Sequence, residues 1–127
     1  MRLLLCVSLA VALAGLTQRT LGRWQSDTTL WCDALALAPE KPRALNNCAL
    51  AYLRNGDYEA ALPLLDRALV TVEQREPNRR AKIRATILTN RVLVLFALRR
   101  LDDARLALAR VDPADPRVAQ FRTWLTP

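Results

Sequence analysis

Two pairs of carboxylates stand close together in the sequence, Asp102 with Asp103 and Asp112 with Asp115. Paired carboxylates can divide general acid and base work between them. Each pair here sits where an apolar stretch begins. An acid at a helix start accepts from free backbone N–H groups and meets the positive end of the helix dipole. We therefore read all four as helix-start residues. The chain has no histidine. That removes the usual general base, the Ser-His-Asp arrangement and most zinc sites. It also lacks a glycine-rich loop that could cradle phosphates. The sequence predicts no catalytic, cofactor-binding or metal-ligating residue, and so no enzyme.

Three cysteines remain, Cys6, Cys32 and Cys48, and none forms a CxxC pair. Cys48 falls on an apolar face, where a buried thiol acting as a small hydrophobe is the preferred reading. The alternative is a Cys32–Cys48 disulfide, which requires an oxidising compartment.

The elements that position these residues are helices. No segment alternates apolar and polar residues with β-branched enrichment, and only Gly15, Gly22 and Gly56 interrupt the chain as glycines. The expected fold class is all-α. The pattern is clearest over Ala44–Val70. Leu45, Cys48, Ala49, Tyr52 and Leu53 recur at helical spacing, and so do Tyr58, Ala61, Leu62, Leu65, Ala68 and Leu69. Asn55-Gly56-Asp57 joins the two runs: Gly56 can end a helix in the left-handed conformation and Asp57 can cap the next. Ala49, Ala61 and Ala68 let two backbones approach closely. Pro63 lies inside the second run, where a proline costs on the order of 3 kcal/mol, so a local kink is expected.

This helix pair resembles a tetratricopeptide repeat, whose period is about 34 residues. Ala49 and Tyr52 match the first helix's small residue and aromatic, Gly56 the turn glycine, and Ala61, Leu65 and Ala68 the second helix. The closing proline comes late, at Pro77. The resemblance implies a short helical-hairpin solenoid that binds partners and does no chemistry. It also implies a groove lined by Arg43, Asn46, Asn47, Leu50 and Arg54, with Asn90 at the place equivalent to Asn47. Such asparagines can bond a peptide backbone, and Arg43 could meet a carboxylate. The expected partner is a protein or peptide, acidic or ending in a free carboxylate. The competing reading makes these residues a solvated helix flank.

A weaker repeat follows 43 residues on: Ala104, Leu108 and Val111 repeat the spacing of Ala61, Leu65 and Ala68, and Arg99 stands where the turn glycine was. The expected layout is a half repeat over 26–39, a repeat over 42–73, a degenerate repeat over 78–112 and a capping helix over 115–126. The runs expected inside the second repeat are Arg79–Leu98 and Leu101–Val111. Solenoids need such caps, and one this short invites self-association. Arg91 lies among Ile87, Val94, Leu95 and Leu98 on the helical wheel, where an unpaired guanidinium would be costly. A carboxylate such as Asp66 or Asp57 is expected beside it.

The chain carries 19 basic against 12 acidic residues, a net charge of +7 in 127 residues. Eight basic and two acidic residues fall between Glu73 and Arg100. The stretch Arg75–Arg84 has no interleaved aromatics, so nucleic acid is not favoured. A solvated helix start is preferred, and contact with anionic lipid is the alternative near a membrane.

Leu3–Leu16 is an apolar run short of the roughly 20 residues of a spanning helix. Residues 1–21 are expected to be a membrane anchor or a cleaved signal peptide, with Ala12-Leu13-Ala14 as the cleavage site. The apolar run before Cys6 is too short for a lipoprotein site. Arg19–Pro39 is similar to the junction between the last membrane helix and the repeats of polytopic mannosyltransferase-like membrane proteins. That resemblance offers a second reading, a C-terminal fragment of a membrane glycosyltransferase without its catalytic part. Arg19 and Arg23 against Arg2 favour a cytoplasmic repeat domain. The resembling proteins and a secretory signal favour the extracytoplasmic side, which is the side adopted. The leading expectation is a non-catalytic, membrane-tethered repeat scaffold for protein–protein contact.

Overall fold

The computed structural model describes residues 27–74 and 77–126, and the N-terminal apolar run lies outside them. The described residues form six helices and no strand: α1 Asp27–Leu37, α2 Pro42–Arg54, α3 Tyr58–Glu73, α4 Pro77–Ala97, α5 Leu101–Leu108 and α6 Pro116–Leu125. The all-α expectation is met. No helix among the described residues is long and apolar enough to cross a membrane.

Local chemistry sets the boundaries. Pro42 opens α2 at a position whose N–H would be unpaired anyway. The same helix ends with Gly56 at φ +80°, while the Asp57 N–H bonds back to Tyr52 O at 2.9 Å. Arg99 repeats this turn after α4, with φ +59° and the Arg100 N–H on Leu95 O at 2.9 Å. The Asp57 carboxylate caps α3 by accepting from Ala60 N at 3.3 Å. Helix α3 continues through Pro63, which is exposed, as is Glu59, whose carbonyl loses its donor. Water can satisfy that carbonyl. Helix α5 stops at Leu108, short of the expected Val111. The Arg110 and Val111 N–H groups reach only three residues back, to Ala107 O and Leu108 O, and tighten the chain into a turn.

Packing is sequential. Each of α1 to α5 lies against the next, α2 also touches α4, and α6 covers α4 and α5. Large residues meet small ones. Leu45, Leu65, Ile87, Leu88 and Leu95 fill the core around Ala49, Ala61, Ala68 and Ala104, all essentially inaccessible. Each buried leucine or isoleucine contributes about 1.5–3 kcal/mol over its exposed state. Helix α4 touches four neighbours, which is why Val92–Leu98 is apolar nearly all round. Helix α1 is the exception: none of Thr28–Leu37 is fully buried, and Leu37 is 90 % exposed.

Candidate functional site

The six groove residues divide into two groups. Arg43, Asn47, Leu50 and Arg54 share one stripe of α2. Arg43 and Arg54 are exposed, and Asn47 and Leu50 are half-buried. Arg43 has no ion pair among the described residues. Asn46 and Asn90 are over nine-tenths buried and face each other. Asn90 Nδ2 donates to Asn46 Oδ1 at 2.8 Å, and Asn46 Nδ2 points on to Asn47 Oδ1 at 3.4 Å. Their amides hold α2 to α4, and Asn47 is left with its own N–H groups free of a described acceptor. Helix α4 places Thr86 and Leu93, both half-buried, at the positions matching Arg43 and Leu50. The 43-residue offset was the signal that could have found them.

Two helix–helix interfaces each carry a specific tie. Cys32 and Cys48 form a disulfide joining α1 to α2, with Cα atoms 4.9 Å apart. This corrects the preferred reading of Cys48 as a free buried thiol: its apolar face points at α1, where Cys32 is the neighbour. At the α3–α4 interface Arg91 of α4 donates to Asp66 of α3 at 2.6 Å, the carboxylate expected for it. Asp66 lies 34 residues after Cys32, and Arg91 lies 43 after Cys48. One pair ties α1 to α2 and the other ties α3 to α4. Two arginines make further ties. Arg67 on α3 reaches back to Pro39 O at 3.3 Å and Glu40 at 3.5 Å, just past α1. Arg110, 43 residues on and just past α5, reaches back to Glu73 at the end of α3, at 3.2 Å.

The close carboxylates are engaged structurally. Asp115 caps α6 by accepting from Arg117 N at 3.0 Å and pairs with the same guanidinium at 2.6 Å. Those bonds hold its carboxyl down at about 2. Asp112 accepts from Ala114 N at 2.9 Å. Asp102 and Asp103 do not cap α5, whose N-cap is Arg100. They pair with Arg105 at 2.8 Å and Arg100 at 2.6 Å. Among the described residues no three cysteine or carboxylate side chains converge as a metal site would require. An open hollow of about 400 Å³ lies between α5 and α6, lined by Arg105, Leu108, Arg122 and Leu125. Arg105 spends its guanidinium there on Leu125 O, at 2.8 and 3.1 Å, and on Asp102.

The described residues thus form an all-helical fold of six packed helices, with Arg43, Asn47, Leu50 and Arg54 on one stripe of α2. No protein-family model, curated protein or solved structure matches the chain.

Proposed function

We propose that this chain is a tetratricopeptide-type scaffold, non-catalytic, that binds an extended acidic or carboxylate-ending peptide along α2 and α4. The ties between successive helices, Cys32–Cys48 then Asp66–Arg91, support a repeating hairpin architecture. The observation that carries the binding role is the arrangement of Arg43, Asn47, Leu50 and Arg54 on one face of α2. That face offers a cation, amide donors and an apolar seat together, as peptide recognition needs. Asn46 and Asn90 brace the groove floor and do not read the ligand.

The disulfide supports placing the domain in an oxidising, extracytoplasmic compartment. The apolar run Leu3–Leu16 would tether it to the membrane or direct its export. The test uses the full chain against a peptide library varied in C-terminal charge. Arg43→Ala with Asn47→Ala is expected to weaken the best binders about tenfold or more. Equal affinity in the double variant would remove this groove from the proposal.

A further inference from the structure

Helix α1 differs from the other five helices in its burial. None of its residues from Thr28 to Leu37 is fully buried, whereas α2 to α6 each contribute to the closed core. Two of its noncovalent ties lie near the surface. Asn55 Nδ2 donates to Thr28 Oγ1 at 2.7 Å, both groups near the solvent, and Leu35 rests on the core's edge. The Arg67 contacts hold the segment after α1 and not the helix itself. The Cys32–Cys48 bond fastens α1 at its middle. Between α3 and α4 an ion pair suffices, because that interface also buries Leu65, Ala68, Val72, Ile87 and Leu88. On α1's own side no residue from Thr28 to Leu37 is fully buried, although Cys48 beneath it is 2 % exposed.

We propose that the disulfide is the fastening that keeps α1 in the stack, and that α1 is a redox-releasable strap. Cys32 is half-buried and Cys48 is 2 % exposed. A dithiol reductant would therefore attack Cys32 Sγ. The attacking thiolate forms a mixed disulfide there, and Cys48 leaves as a thiolate that takes up a proton. The reductant's second thiol then displaces Cys32, giving two protein thiols and one oxidised dithiol. With the link cut, α1 opens while α2 to α5 stay folded around their own core. Opening uncovers the α2 face on which Cys48 sits.

The test is amide hydrogen exchange on the full chain with Cys6→Ser, which leaves Cys32 and Cys48 as its cysteines. Oxidised protein is compared with protein held in dithiothreitol. Reduction is expected to speed exchange across Thr29–Leu37 by roughly 100-fold, the scale of closing a loop of this length. Amides of Leu65–Val72 and Ile87–Leu95 should change little. Cys32→Ser, Cys48→Ser together should reproduce the reduced pattern without reductant. Three results would overturn the proposal. One is α1 exchange that is the same in both states. Another is loss of protection in α3 and α4 alongside α1. The third is alkylation of both Cys32 and Cys48 in the untreated, unfolded chain.

Discussion

Arg91 donates from Nε to Asp66 Oδ1 at 2.6 Å and so ties α4 to α3, as the Cys48–Cys32 bond ties α2 to α1. The guanidinium side chain is 22 % exposed and the carboxylate half exposed. A partly screened pair of this kind couples modestly. A double-mutant cycle with Arg91→Met and Asp66→Ala, read by chemical denaturation, is expected to give a coupling of about 1 kcal/mol. Arg91→Met alone should cost little, because methionine fits the surrounding Val94 and Leu95. A coupling of zero would make the contact incidental.

The Asn46–Asn90 pair should be the more sensitive bond. Both amides are over nine-tenths buried, so removing one leaves the other unpaired inside. Asn46→Ala is expected to cost about 1–3 kcal/mol. Asn46→Leu with Asn90→Leu should cost less than the single change, since no buried polar group is then stranded. Thermal or denaturant unfolding of the three variants checks the order.

Arg99 carries a side chain in the backbone conformation that Gly56 adopts in the first turn, φ +59° against +80°. A side chain there costs roughly 1–2 kcal/mol, offset in part by glycine's greater loss of freedom on folding. Arg99→Gly should therefore stabilise the domain by about 0.5–1 kcal/mol. Gly56→Ala should destabilise it by a similar amount. An added Cβ at Gly56 meets nothing within 4 Å, so the effect is conformational and not steric. Melting temperatures moving in opposite directions would bear this out.

Acid should loosen the α6 end of the molecule. The Asp115 carboxyl is held at about 2 by its bonds to Arg117, below the ordinary 3.8. A group depressed on folding adds stability above its unfolded value and loses it as pH falls through the folded one. Its contribution is thus whole near pH 5 and fades from about pH 4 to pH 2. Asp115→Asn keeps a capping oxygen but not the charge. The variant should exchange α6 amides faster than the parent at pH 5, and the two should converge near pH 2. A gap that stays constant with pH would show that the Asp115 charge is not its source.

Much of this architecture was legible in the residues. Helical spacing of Leu45, Ala49, Ala61, Leu65 and Ala68 defined the central pair, and all five are buried. Arg91's position on an apolar wheel demanded a carboxylate, and Asp66 supplies it. Other features needed coordinates. The Cys32–Cys48 bond depends on how α1 settles on α2, which periodicity within either helix does not fix. Asn46 and Asn47 are neighbours with the same chemistry. Only the crossing of α2 with α4 decides that Asn46 is spent on Asn90 while Asn47 keeps free donors. The turn at Ala109–Val111 was hidden because Val111 repeats the apolar spacing although it lies past the end of α5.

The role proposed for the α2–α4 stripe is tested most directly by NMR. A peptide selected for binding is titrated into isotope-labelled full chain, and side-chain amide and backbone shifts are followed. The expected perturbations centre on Arg43, Asn47, Leu50, Arg54, Thr86 and Leu93, with the Asn47 side-chain amide moving and that of Asn46 nearly still. Perturbations centred instead on the exposed Val70 of α3 and Leu106 of α5 would contradict the account.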